Sequence, residues 1–203
     1  MTSFMTSSID KNRHVILGST SVYRRELLSR LRIPFDVQAP EVDETPIDGE
    51  SPLQLAQRLA LAKAHAVAQK FPESVVIGSD QVADLNGLAL GKPGNFERAT
   101  AQLRQMRGKT VVFQTAVAVV CNASGFVAQD VAAVNVIFRD LTDDEITAYL
   151  LAETPYDCAG SAKSEGLGIA LLASIGNDDP TALVGLPLIR TCNMLRAAGV
   201  KLL

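Results

Sequence analysis

Two long strand-forming runs joined by a four-residue turn constrain this chain more than any other feature. KTVVFQTAVAVVC (109–121) and FVAQDVAAVNVIFRDL (126–141) flank Asn-Ala-Ser-Gly and contain no proline, so they predict a long β-hairpin. Before them, SVVIGSDQVADL (74–85) reads as a strand, Asn86-Gly87 as a type I′ turn, and LALGKP (88–93) as the returning partner. Helical patterns lie between the strands. Ser51, Pro52 and Gln54 supply an N-cap, a first-turn proline and a capping-box partner for a helix running to about Lys70. Asn95 caps a second helix with Phe96, Ala99, Leu103 and Met106 on one face, ended by Gly108. Thr142 and Glu145 form another capping box, and a last helix starts near Pro187 and stops at Gly199.

Upstream, HVILG (14–18) reads as a short buried strand. It enters GSTSVYRRELLSRL, a helix with Leu27, Leu28 and Leu31 on one face, and IPFDVQAP (33–40) follows as a strand. After Pro155 comes the polar stretch YDCAGSAKSEG, then LGIALL (167–172) as a strand. Strands and helices interleave throughout, which favours an α/β or mixed α+β sheet. Residues 13–203 read as a single domain, and the polar start of the chain makes 1–12 a mobile N-terminal extension.

Composition narrows the function. The net charge of -3 provides no broad cationic face, so no nucleic-acid partner is expected and local basic clusters point to a small anion. Cys121, Cys158 and Cys192 are far apart and in no C-x-x-C spacing, and only His14 and His65 are present. That argues for a reducing compartment and against zinc; any metal should be a hard cation such as Mg2+ or Mn2+, held by carboxylates and substrate oxygens. The start lacks a basic segment followed by a long apolar core, and no apolar run is long enough to span a bilayer. The expectation is a soluble cytoplasmic protein without a membrane partner.

Four polar clusters interrupt the well-patterned elements: 19–25, 41–44, 79–81 with Lys92, and 163–165. Such a mixture of cations and carboxylates suits metal-assisted phosphoryl chemistry. Arg24 and Arg25 stand in the first turn of a helix, where the dipole disfavours cations by a few tenths of a kcal/mol, roughly; an anion docking there would explain them. Asp80, within an apolar strand, is a candidate base. Each signal has a plain alternative. Asp80 could cap a turn on an exposed strand end, and Gly78 could mark a bulge or a close ligand approach. The arginines could form a solvated face, EVDE (41–44) a solvated loop, Lys63 an ordinary helix lysine, Lys92 a hairpin flank, and His65 a surface or packing residue.

From His14 onward the chain resembles the Maf family of nucleoside triphosphate pyrophosphatases. The matching segments are GSTSVYRRELL, EVDE, the LALAKA helix around Lys63, IGSDQV, the GKP of 91–93, and AGSAKSEG. The SDQ core, KSEG and VGLPL look most like the branch that hydrolyses 7-methyl-GTP to 7-methyl-GMP and diphosphate, removing modified nucleotides. The dTTP/UTP branch and a non-catalytic nucleotide-binding regulator of septum formation are the alternatives. Val22 replaces the usual proline, and Tyr23 stands where the 7-methyl-GTP branch often has tryptophan and the dTTP/UTP branch arginine. An aromatic ring there suits a cationic methylated purine, by roughly 0.5 to 2 kcal/mol.

The resemblance implies an elongated mixed α/β sheet with flanking helices, two lobes around a central cleft, and a homodimer. It implies Asp80 as general base, Glu44 as its partner in metal or water positioning, and Lys63 as a catalytic phosphate contact. Glu44 and Asp80 would hold a divalent cation, Mg2+ or Mn2+. Ser19, Arg24, Arg25, Lys92 and Lys163 would hold the phosphates of a nucleoside triphosphate, and Tyr23, Gln81 and Glu165 would set base specificity.

Overall fold

The computed structural model of the chain describes residues 13–203; the extension expected at 1–12 lies outside the described residues. Three long strands run through the molecule: β3 (Val75–Leu85), β5 (Thr110–Cys121) and β6 (Phe126–Phe138). They pair antiparallel, and the β5–β6 turn closes at Gly125 in the left-handed region, φ 66°. Shorter strands extend the two ends differently. Beside the start of β3 lies β1 (Val15–Gly18), parallel to it and to the edge strand β2 (Asp36–Gln38). Beside the end of β3 lies β4 (Leu88–Leu90), and β7 (Leu172–Gly176) pairs with the end of β6. The result is one seven-stranded sheet, ordered β2-β1-β3-β5-β6-β7 with β4 on β3. Its long strands are shared by two lobes, in agreement with the expected mixed α/β architecture.

Helix patterning decides which lobe each helix covers. The helix α1 (Val22–Ser29) packs Leu27 and Leu28 with Leu195 of α5 (Leu188–Ala197) over Leu17, Ile77 and Val119. On the opposite face, α2 (Pro52–Lys70) lays Leu59, Ala60, Ala64 and Val67 over Ile16, Val76 and Ala118. In the other lobe, α3 (Phe96–Met106) and α4 (Asp143–Glu153) bury Leu103, Met106, Ile146 and Leu150 around Phe113, Val134 and Phe138. Capping boxes at Ser51/Gln54 and Thr142/Glu145 start α2 and α4 where the sequence places them. Asn86 and Gly87 both take positive φ, as a type I′ turn requires. Among the described residues, no helix is long and apolar enough to cross a membrane.

Three local expectations need correction. LGIALL is not a strand: 167–171 wind as a short 3-10 segment, and the strand is the next stretch, LASIG. The strand expected over 33–40 shrinks to three residues. Gly78 is neither a bulge nor a ligand contact. It pairs in register with Gly18 and Ala118, and a Cβ there would come within 2.2 Å of the Ala60 carbonyl oxygen and 2.5 Å of the Ala64 nitrogen. Both atoms belong to the α2 backbone, so helix and sheet touch directly at this point. Gly78→Ala is therefore expected to destabilise the fold by about 3 kcal/mol or more in urea titration.

Candidate active site

The chain leaves β1 at Gly18 and enters α1 through a turn built from its own hydroxyls. Ser19 Oγ accepts from the Ser21 N–H at 3.1 Å, and Ser21 Oγ caps the helix by accepting from the Arg24 N–H at 3.4 Å. No acidic residue occupies the first turn, so its positive end is left for an external anion. Arg24 reaches back over the sheet, where its Nε donates to the Gly185 carbonyl at 2.8 Å. Burial lowers its basicity, against the opposing pull of Asp80 and Glu44. A guanidinium remains charged under such strain, so the group is a cation short of water and receptive to an anion.

The floor of the site is an ion cluster around Lys63. This lysine lies on the buried face of α2, its side chain only 7% exposed; its Nζ is 2.7 Å from Asp80 Oδ1 and 2.8 Å from Glu44 Oε1. It is thus not an ordinary surface lysine. Nor is Asp80 on an exposed strand end. It is 8% exposed and pairs with Ala116 in the middle of the β3–β5 ladder. Alternation along β3 turns Ser79 to the other face, where its hydroxyl serves the Ala116 and Gly185 carbonyls at 2.8 and 3.0 Å. Glu44 comes from the loop before α2. Burial works to raise its carboxyl, but the Lys63 hydrogen bond and charge, with Lys92 and Arg24, outweigh that and hold it below the ordinary carboxylate range.

Ser19, Tyr23, Arg24, Glu44, Lys63, Gln81 and Lys92 line one cleft with Asp157, Cys158 and Glu165. Asp80 is not among the lining residues; it meets the cleft through Lys63. The cleft is electrically polar. Its charges fall into two interacting groups: Arg24, Lys63 and Lys92 around Glu44, and Tyr23 with Asp157, Cys158 and Glu165. Burial first, then the neighbouring Cys158 and Asp157, pushes the Tyr23 hydroxyl far above its usual range, so it stays a neutral phenol. Burial and Asp157 likewise push the Cys158 thiol up to about 12, which removes it as a nucleophile at neutral pH. Burial also raises the Glu165 carboxyl.

Residues 14–198 match the family described as Maf-like protein. The chain belongs to the Maf family. A Polaromonas relative named 7-methyl-GTP pyrophosphatase is 73% identical over 197 residues, covering 97% of this chain and 90% of the relative. A relative of the same name from Albidiferax ferrireducens is 72% identical over 191 residues, covering 94% and 96%. A solved dITP/XTP pyrophosphatase from Mycobacterium abscessus aligns over 92% of this chain and 97% of its own, at 15% identity and a TM-score of 0.46.

The cleft gathers most of the expected residues and separates two of them from the Lys63 cluster. Arg25 is exposed on the far side of α1, in a groove with Glu26, Phe35 and Asp36. Lys163 sits beside Tyr23: its Nζ is 2.7 Å from Glu153 Oε1 and 5.9 Å from the Tyr23 ring centroid. Gln81 lines the cleft, but its amide nitrogen lies 2.9 Å from Thr115 Oγ1 and 3.0 Å from both the Ala182 and Leu183 carbonyls. With Arg24 and Ser79 it pins the 182–185 turn across the sheet. The sequence reading missed Asp157, Cys158, Glu153 and Gly185 as parts of the site. The polar stretch YDCAGSAKSEG signalled the first two; nothing local signalled Glu153, which acts from the preceding helix.

Among the described residues no group of three or more His, Cys, Asp or Glu is placed to hold a metal. Glu44 and Asp80, however, converge on one cation, Lys63. Two carboxylates facing one point are a donor set that suits Mg2+ or Mn2+, which complete their shells with water and other oxygen ligands.

Proposed function

We propose that this protein hydrolyses 7-methyl-GTP to 7-methyl-GMP and diphosphate. The two charge groups of the cleft carry the reading: three cations around Glu44 for a polyphosphate, and two carboxylates with an aromatic ring for a base that is itself cationic. The names of its high-identity relatives support the same substrate. In this account the phosphates lie against the α1 amides, Arg24, Lys63 and Lys92. Asp80 accepts a proton from water, whose oxygen bonds to the α-phosphorus as the bond to the bridging oxygen breaks and diphosphate leaves with the electron pair. Lys63, 2.7 Å from Asp80 Oδ1, orients Asp80 for that transfer. Glu44 and Asp80 would hold Mg2+ or Mn2+, which would neutralise charge on the phosphates. Ser19 shapes the turn that presents the amides, and Gln81 shapes the wall near the base. We further read residues 13–203 as a single-domain unit that works as a cytoplasmic homodimer, a state that light scattering measures.

A substrate panel of 7-methyl-GTP, GTP, UTP and dTTP, with separate detection of diphosphate and phosphate, tests the reading. Diphosphate should come mainly from 7-methyl-GTP. Preference for UTP or dTTP would retain the chemistry and overturn the specificity, and absence of turnover would favour a binding regulator. Tyr23→Arg should lower kcat/KM for 7-methyl-GTP about tenfold relative to UTP; equal loss on both would remove Tyr23 from base selection.

A further inference from the structure

Glu153 closes α4, and both of its carboxylate oxygens are used by the segment that follows. Oε1 accepts from Lys163 Nζ and Oε2 from the Leu167 backbone N–H, each at 2.7 Å. The chain between is packed hard against these groups. A Cβ on Gly166 would lie 2.7 Å from Glu153 Oε2, and one on Gly168 would lie 2.5 Å from the Lys163 carbonyl oxygen. Tyr149, buried on the same helix, donates its hydroxyl to the Ser161 carbonyl and accepts from the Lys163 N–H, both at 3.1 Å. Lys163 is therefore held at its backbone and at its tip, with the ammonium within cation–π reach of Tyr23.

A fixed cation beside Tyr23 would oppose a cationic base arriving at the same ring. Glu153 cancels that charge in a pair whose side chains are only 27% and 15% exposed, so solvent and salt screen the pairing less than at a surface. With Lys163 neutralised, Asp157 and Glu165 decide the sign of this end of the cleft.

We propose that Glu153 is a positioning residue for substrate selection: by neutralising and immobilising Lys163 against Tyr23, it keeps the base end net anionic, so that a cationic purine is preferred over a neutral one. This rests on the functional reading above and adds to it a residue outside the cleft and a different role for Lys163. Glu153→Gln separates charge from anchoring, because the amide oxygen still accepts from the Leu167 N–H.

Calorimetric binding of 7-methyl-GMP and GMP to the full chain, with KM and kcat for the two triphosphates, provides the test. Glu153→Gln should weaken 7-methyl-GMP about five- to tenfold while changing GMP less than about twofold, with the kcat change also below about twofold. Adding Lys163→Gln to that variant should restore the wild-type ratio, and Lys163→Gln alone, which leaves the Leu167 anchor intact, should increase it. A purely structural anchor would weaken both nucleotides alike and gain nothing from the second change. An unchanged ratio in Glu153→Gln, equal loss on both nucleotides, a double variant without recovery, or a reduced ratio in Lys163→Gln overturns the proposal. A wild-type protein with no preference for 7-methyl-GMP overturns the functional reading itself, and this inference falls with it.

Discussion

Asp80→Asn should turn over 7-methyl-GTP about 100- to 10,000-fold more slowly than the wild type, the range that loss of a general base produces. The substitution is close to isosteric, and the remaining carbonyl oxygen can still accept from Lys63 Nζ, now 2.7 Å from Asp80 Oδ1. The loss should therefore fall on kcat, with circular dichroism and urea unfolding showing a folded protein. Asp80 sits 8% exposed in the middle of a strand and contacts the cleft-lining Lys63, so the proposed attacking water would have to approach it from the side of Lys63 and Glu44. A folded Asp80→Asn protein with wild-type kcat would remove Asp80 from the chemistry and shift the base role to Glu44, the other carboxylate on Lys63.

Lys63→Met should be costly in a different way. Lys63 pairs with both Asp80 and Glu44, and its removal leaves the buried Asp80 carboxylate without its ion-pair partner. Breaking one side of such a pair destabilises by about 3 to 5 kcal/mol, which for a chain of this size lowers Tm by roughly 10 °C. Glu44 contributes little to that cost because its side chain is 57% exposed. Turnover should be lost as well, since the proposed mechanism sets the phosphates against the same lysine. The cost identifies its own source: Lys63→Met combined with Asp80→Asn should be more stable than Lys63→Met alone, because no buried charge is left unpaired. Differential scanning calorimetry of the three proteins measures this directly. Additive losses in the double variant would show that the coupling between the two side chains is weak.

The features legible in the sequence were those with local physical causes. Asn86-Gly87 requires positive φ at both positions, and the capping boxes at Ser51 and Thr142 satisfy helix amides within a single turn; all three stand where expected. LGIALL misled because a short apolar run fits a strand as well as a tight turn. What decides it is the contact of Gly168 with the Lys163 backbone, which no sequence pattern displays. Gly78 was ambiguous for the same reason: its partner is the backbone of α2, eighteen residues earlier at Ala60.

The candidate site shows the same division. Residue types pointed to candidates, whereas their orientation required the fold. Arg24 and Arg25 are adjacent, and successive helix residues point about 100° apart, so the turn that brings Arg24 to Gly185 sends Arg25 to a separate groove. Lys163 reads as a phosphate ligand until α4 places Glu153 beside it. Gln81 reads as free to meet a base edge until the sheet brings Thr115 and the 182–185 turn to its amide.

Hydrolysis of 7-methyl-GTP in 18O-enriched water, with mass analysis of both products, shows whether water attacks the α-phosphorus. Attack at that phosphorus leaves one 18O atom in 7-methyl-GMP and none in the released diphosphate. Label in diphosphate, or release of single phosphates with 7-methyl-GDP remaining, would contradict it.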